Sequence, residues 1–314
     1  SPLRVHRQVM LLSIAACTLA SIACATVLTG PIRKLSRSTR SMASGQYSYR
    51  VKVRSRDELG ALAEDFNHMA DALERKIQEL AAAAQRQKDF TASFAHELKT
   101  PLTSISGFAE IIRDGLVRPE DVPRFAGNIY KEARRLITLV GDIIKITQMD
   151  DQQLPIQREQ LDLRALCADV LEHLQPAADS AGVHMILEGE AHWINGARQI
   201  ADEMVYNLCD NAIKYNRPGG TVWVRLEARD AETVALSVED TGIGIPEEHQ
   251  SRVFERFYRV DKNRSREIGG TGLGLSIVKH GALYHGAALY LNSAPGVGTK
   301  ITVVFPKQGP DPES

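Results

Sequence analysis

Charge imbalance is what this 314-residue chain lacks: 38 Lys and Arg stand against 39 Asp and Glu, a net charge of −1. A polyelectrolyte grip on nucleic acid needs a surplus of cations, so no nucleic-acid partner is expected. Cysteine is also scarce, with Cys17 and Cys24 in an apolar segment and Cys167 and Cys209 isolated. No C-x-x-C pair or metal spacing occurs, which leaves reduced, structural thiols. The histidines form no ligand cluster, which argues against a tightly bound transition metal. The length suffices for two or three modules with ample core.

The most informative segment that is present is Phe90 to Gly107, FTASFAHELKTPLTSISG. At 3.6 residues per turn its apolar stripe runs Phe90, Phe94, Leu98, Pro101, Ile105, Phe108, Ile112. His96 lies off that stripe and should face solvent. Thr100, four residues on, shares its face; Glu97 flanks the ring, and Pro101 removes the helical bond to the Glu97 carbonyl. A nucleophilic nitrogen, a carboxylate and a hydroxyl converge. A core histidine is disfavoured by the off-stripe position, and a zinc-protease H-E-x-x-H fails because Thr100 replaces the second histidine.

A second constellation lies on Gln199 to Asn216, where Ile200, Met204, Leu208, Ala212 and Tyr215 read as the inner face of a helix. Glu203, Asn207, Asn211 and Lys214 share another face. Asn carbonyls are hard ligands suited to Mg²⁺ beside phosphates, and a lysine supplies counter-charge; the alternative is a solvated polar face. Two glycine-rich loops follow. Asp240-Thr-Gly-Ile-Gly-Ile-Pro246 ends a strand-like run, and Gly269-Gly-Thr-Gly-Leu-Gly-Leu275 leads into Ser276 to Lys279. Glycine lets backbone amides approach an anion, and Asp240 could accept from the adenine amine. The second loop fails the Rossmann test, since the charged run Arg259 to Glu267 precedes it instead of a buried strand. Together the pieces suggest nucleotide binding.

In these residues the sequence resembles the two-component sensor histidine kinases. His96 to Pro101 is similar to the H box, Asn207 to Tyr215 to the N box, and Asp240 to Gly244 to the G1 box. Phe254 to Tyr258 is similar to the F box, Gly270 to Gly274 to the G2 box, and Gly296 to Thr299 to the terminal glycine turn. By that resemblance His96 takes the γ-phosphoryl group of ATP, Glu97 orients and deprotonates the imidazole, and Thr100 positions water for dephosphorylation of the partner. Asn211 holds Mg²⁺ with Asn207 nearby, Asp240 reads adenine beside Gly242 and Gly244, and Tyr215 packs on the base. Lys214 and the G2 residues Gly270, Thr271, Gly272, Leu273 and Gly274 serve the phosphates. Arg259 to Ile268 is the expected ATP lid; which of Arg259, Lys262 and Arg264 meets phosphate is open.

Val9 to Thr29 carries no charge over the roughly 20 residues a bilayer core requires, and is expected to span the membrane. Arg33, Lys34, Arg37 and Arg40 outnumber Arg4 and Arg7, placing the remainder in the cytoplasm of a bacterial cell. A cleaved signal peptide is the alternative. The chain opens at Ser1 without Met, so residues 1–8 read as the remnant of a larger extracytoplasmic part. Residues 30–82 look like a HAMP linker: Pro31 to Leu35, a polar connector through Arg56, then Asp57 to Leu62 with Phe66, Met69 and Leu73 as a helical stripe. An amphipathic spacer is the alternative. A helix from Glu58 is expected to continue into that of His96.

Residues 83–150 read as a helical hairpin whose second helix carries Ile129, Ala133, Leu136, Val140 and Ile143 after the breaker-rich turn Gly115 to Pro123. Such a hairpin buries its seam by pairing into a dimeric four-helix bundle; a monomer with that stripe on the catalytic module is the alternative. Residues 151–307 change to an α+β pattern, with a helix near Leu161 to Gln175 and strands at Thr221–Leu226, Thr233–Val238, Ala288–Leu291 and Ile301–Phe305. The resemblance implies a Bergerat-type ATP-binding sandwich. Trp223 and Tyr290 are expected in sheet or core, and the tail from Lys307, beyond the module, is expected to be disordered. The multidomain chain reads as a membrane-bound homodimer that passes phosphoryl groups from His96 to a response regulator. A Bergerat-type ATPase and a catalytically silent scaffold are the rivals.

Overall fold

Helical periodicity dominates the first half of the chain and strand alternation the second. The computed structural model describes residues 2–52, 58–150, 157–261 and 270–308, with backbone alone at 2–9, 24, 26–28, 31 and 150. Asp57, Lys262 and Arg264 of the expectations above lie outside the described residues, as does the tail beyond 308. The chain divides into two units, Ser1–Thr91 and Ala92–Ser314.

In the first unit, helix α1 (Pro2–Ala43) is followed by a connector and the start of α2 (Glu58–Arg113). Its core is Met42, Val51, Ala63, Phe66 and Ala70, with Leu35 and Tyr47 against it. The connector is fastened by side chains: Asn67 accepts from the Val51 amide (2.9 Å) and donates to the Val51 carbonyl (3.0 Å), while Arg50 pairs with Asp71 and Glu74. Of the expected stripe only Phe66 is buried. Leu62, Met69 and Leu73 are exposed, because the row that meets the connector is Ala63, Phe66, Ala70. Among the described residues no helix is long and apolar enough to cross a membrane. The expected span at 9–29 forms part of α1 and includes side chains outside the description.

The second unit begins within α2, which runs from Glu58 past His96 and through Pro101 without a break, as expected. Gly115, at φ +67, turns the chain; a short 3₁₀ turn (Pro119–Asp121) leads into α3 (Val122–Asp150). Every residue of the predicted α2 stripe is buried or half-buried, and Phe108 meets Phe125 of α3 edge-on. The α3 stripe differs. Val140 is exposed, together with Ile137 and Ile144, whereas the deepest residues are Leu139 and Ile146. These pack on Leu273 and Ile277 of the catalytic module with Ile143 of the predicted row beside them, while Ile129, Ala133 and Leu136 are half-buried.

The α+β layer follows: β1 (Glu159–Asp162), α4 (Leu163–Ala181), β2 (His184–Glu188), β3 (Trp193–Gly196), α5 (Arg198–Lys214), β4 (Thr221–Ala228), β5 (Thr233–Asp240), α6 (Glu247–Gln250), α7 (Gly274–His285), β6 (Ala288–Ala294) and β7 (Gly298–Pro306). The five-stranded sheet has the order β2-β4-β5-β7-β6, with β2 parallel to β4 and the remaining pairs antiparallel; β1 and β3 form a separate ribbon. Alternate residues such as Val222, Val224, Leu236, Val238, Val303 and Phe305 face α4, α5 and α7 in one core. Burying a side chain of this size contributes roughly 1.5–3 kcal/mol, so this layer holds most of the unit's hydrophobic stabilisation.

Three sequence expectations need correction here, and a fourth is met. Helix α4 starts at Leu163, where Asp162 caps it by accepting from the amides of Arg164 (2.9 Å) and Ala165 (3.3 Å), and it passes Gln175 to end at Gly182 in a left-handed conformation. Helix α5 stops at Lys214, leaving Tyr215 and Asn216 in the turn beyond. Trp223 and Tyr290 lie in the sheet, as expected, on its uncovered face, Tyr290 being half exposed. Lys307 is ordered: its amide donates to Glu232, its carbonyl accepts from Asn195 and its ammonium donates to Ala231.

Candidate active site

One cavity of about 280 Å³ collects nearly all the predicted nucleotide residues. Helix α5 presents Asn207, Asn211 and Lys214 along one side, because its Ile200, Met204, Leu208 and Ala212 row is anchored in the core. Asp240 closes one end as the last residue of β5. Its Oδ1 accepts from the amides of Gly242 (2.8 Å) and Thr299 (3.3 Å), and burial pushes its carboxyl up to about 6 against those two bonds. Tyr215, Gly244, Ile243 and Ile245 complete the apolar wall there.

The opposite end is made by the second glycine loop. Gly270, Thr271, Gly272 and Gly274 line it. Gly272 holds φ +73, and a side chain there would come within about 3.1 Å of Arg259 Nε and the Phe257 backbone. A Cβ on Gly274 would lie 2.7 Å from Asn207 Oδ1, so glycine keeps that carbonyl oxygen accessible beside Asn211. Asn207 Nδ2 donates to the Glu203 carbonyl (2.7 Å), which fixes the amide's orientation. Lys214 is held by Asp210 at 2.6 Å. Leu273, expected at the phosphates, does not line the cavity with its side chain, which is fully buried against Leu139 and Ile146.

The histidine helix meets this cavity through one arginine. His96 is exposed, and the Thr100 hydroxyl donates to the His96 carbonyl (3.3 Å). Glu97 accepts from Arg259 Nη2 at 3.0 Å and has Arg135 of α3 at 3.6 Å. Arg259 lines the cavity and is almost entirely buried; burial lowers its pKa, opposed by Glu97, and its Nε has no partner among the described residues. Two further pairs join α3 to the catalytic module: Thr271 donates to Asp142 Oδ2 (2.7 Å), and Lys145 meets Glu203 (2.6 Å). Burial raises the Asp142 carboxyl above the usual range.

Sequence reasoning missed Arg135, Thr138, Asp142 and Lys145. Their spacing of three, four and three is a polar row of α3 beside the apolar row, and that periodicity was the available signal. Tyr258, Val260 and Asp261 also line the cavity. Lys262 lies outside the described residues.

Three known domain families match the chain in order. Residues 196–309 match the family described as Histidine kinase-, DNA gyrase B-, and HSP90-like ATPase, residues 86–152 the His Kinase A (phospho-acceptor) domain, and residues 25–75 the HAMP domain. The chain is 34% identical over 84% of its length to the sensor-like histidine kinase SenX3 of Mycolicibacterium smegmatis, spanning 69% of that protein. It is 31% identical over 96% of its length to the signal transduction histidine-protein kinase BaeS of Escherichia coli, spanning 63% of it. A solved structure of histidine kinase ThkA in complex with response regulator protein TrrA shares the fold, with a TM-score of 0.57 and 22% identity over 74% of this chain and 66% of that one. With three modules matched in order and the SenX3 identity running through them, the chain belongs to the sensor histidine kinases of two-component signal transduction.

Proposed function

We propose that the chain transfers the γ-phosphoryl group of ATP to His96 and then to an aspartate of a separate response regulator. The observation that carries this reading is the Arg259–Glu97 contact, which links the wall of the nucleotide cavity to the residue beside the exposed histidine. In the transfer, an imidazole nitrogen of His96 forms the N–P bond and the bond to the bridging oxygen breaks, ADP leaving with the electron pair. The imidazole proton passes to Glu97, which must first exchange Arg259 for the histidine ring. Arg259 and Lys214 are then placed for charge on the phosphates, and Asp240 accepts from the adenine amine.

Asn207 and Asn211 fit a Mg²⁺ ion, because both line the cavity, Gly274 puts no side chain against the Asn207 carbonyl oxygen, and amide oxygens are hard donors. When bound, the ion neutralises phosphate charge. Thr100, on the His96 face, is our candidate for positioning water in dephosphorylation of the regulator. We assign residues 30–82 to the linker, 83–150 to the phosphoacceptor hairpin and 151–307 to the catalytic module. The exposed rows Leu62, Met69, Leu73 and Ile137, Val140, Ile144 suit the seam of a homodimer. Membrane anchoring through Val9 to Thr29 rests on the uncharged run and the basic residues after it.

Incubating the chain with Mg²⁺ and γ-labelled ATP tests the kinase reading. Acid-labile, base-stable label is expected in the wild type and absent from His96→Gln. Nucleotide turnover without label on protein would favour a plain ATPase, and neither binding nor label would favour a scaffold.

A further inference from the structure

Tyr258 stands at a sharp turn in the cavity wall. The residue before it, Phe257, is the one non-glycine residue with a left-handed backbone among the described residues, at φ 63. A bulky side chain is strained there, so the surroundings must hold the turn in place. The Phe257 amide donates to the Gly272 carbonyl at 2.8 Å, which ties the turn to the second glycine loop. Three consecutive side chains then diverge. Phe257 packs into the Leu139, Ile146, Leu273 seam, Arg259 reaches Glu97, and Tyr258 lines the cavity.

Two groups grip Tyr258, and both come from the short segment behind the Asp240 loop. His249 Nδ1 lies 2.7 Å from the Tyr258 hydroxyl, and the Arg252 guanidinium sits over the ring, 4.4 Å from its centroid. Glu248 Oε1 is 3.5 Å from His249 Nε2, an arrangement that favours a proton on Nε2 and leaves Nδ1 to accept from the tyrosine O–H. His249 is not itself among the residues lining the cavity.

We infer that His249 is a positioning residue for nucleotide: by fixing the Tyr258 hydroxyl it couples the Asp240 loop to the segment that leads into the expected lid, and so sets affinity for ATP and ADP. A free Tyr258 ring would have to be ordered on each binding event, a cost the His249 bond removes in advance. The inference rests on the kinase reading above, since it takes the ligand of the cavity to be an adenine nucleotide.

The test is ADP affinity by calorimetry on the full chain, with KM and kcat for autophosphorylation measured in parallel. His249→Ala and Tyr258→Phe are each expected to raise the ADP Kd and the KM for ATP about fivefold, the scale of one neutral hydrogen bond. At saturating ATP, kcat should stay within about twofold of wild type, because the bond acts on binding. The double variant should be no weaker than either single one, since both remove the same bond. His249→Asn, which places a hydrogen-bonding amide near the Nδ1 position, should recover most of the loss. Wild-type affinity in His249→Ala, multiplied losses in the double variant, or a fall confined to kcat would overturn the inference. If wild type binds ADP and is labelled while the variants match it, this inference alone fails. If wild type binds no ADP, the kinase reading fails with it.

Discussion

The two ends of the nucleotide cavity are held by different kinds of bond. At Asp240 the partners of the half-buried carboxylate are backbone amides, that of Gly242 two residues on and that of Thr299, which the β5–β7 pairing sets opposite Asp240. At the other end the polar contacts between hairpin and catalytic module run from side chain to side chain: Glu97 with Arg259, Asp142 with Thr271, Glu203 with Lys145. Opening the first requires unzipping a sheet, whereas the second opens by rotamer changes and separation of the Leu139–Ile146 seam. The Asp240 end is thus built into the fold, while the link to His96 is a separable dock. A kinase reading needs both, because His96 must receive phosphate from the cavity and then be reached by another protein.

The largest expected effect breaks the fixed end. Asp240→Ala removes the proposed charged acceptor of the adenine amine, and a hydrogen bond to a charged group is worth about 1.5–3 kcal/mol, so ADP affinity should fall by on the order of a hundredfold in a binding titration. The wild-type carboxyl, raised to about 6 by burial, should itself report this end. Affinity should drop about tenfold between pH 7.5 and 5 as the carboxylate is protonated, with Asp240→Asn flat over that range. A pH profile shared by wild type and Asp240→Asn would assign the titration to the phosphates instead.

A smaller effect sharpens the contrast at the dock. Asp142 places a carboxylate beside the loop expected to hold phosphates, so Asp142→Asn should tighten ADP binding by about threefold at low salt, with the gain shrinking as salt screens the charge. Weaker binding in that variant would show that the Asp142 bond orders Thr271 more than its charge repels.

The smallest effect lies away from both ends. His285 is buried, with Nδ1 2.8 Å from the Gly281 carbonyl and Nε2 accepting from the Ala197 amide at 3.1 Å, a neutral ring with both nitrogens in use. Burial lowers its pKa, with Arg158 adding to the effect and the Gly281 carbonyl opposing it. The unfolded chain therefore takes up the proton first. The His285 contribution to stability is intact above the ordinary histidine value of about 6.5 and is lost as pH falls through the depressed folded value. Urea titrations should show this slope in the wild type and lose it in His285→Gln.

Legibility in the sequence followed the range of the interactions. The His96 helix, its apolar stripe and the glycine loops depend on residues within a few positions of one another, and they stand where periodicity and turn chemistry put them. The short strands Glu159–Asp162, His184–Glu188 and Trp193–Gly196 went unread because four or five residues carry little pattern; their pairing comes from distant partners such as Thr221 to Arg225. Which α3 residues sit deepest is illegible for a related reason. Two adjacent apolar rows fit the same period, and only the position of Leu273 and Ile277 selects Leu139 and Ile146. Leu273 itself reads as part of a phosphate loop until that seam is present.

By itself the sequence determined the chemistry available to this chain: a solvent-facing histidine beside a carboxylate, asparagines in helical register, an aspartate ending a strand before glycines, and an uncharged run long enough for a bilayer. Those are properties of spacing and residue type, which the backbone geometry of helix and turn converts directly into facing side chains. Tertiary structure alone decided that Arg259 reaches Glu97, that Asp142 meets Thr271 and that His249 holds Tyr258. The first two join residues more than a hundred positions apart, and the third, only nine apart, depends on a left-handed turn at Phe257 that no local preference favours. Such contacts form only once the core has brought the elements together, and they are therefore the ones a kinase can make and release.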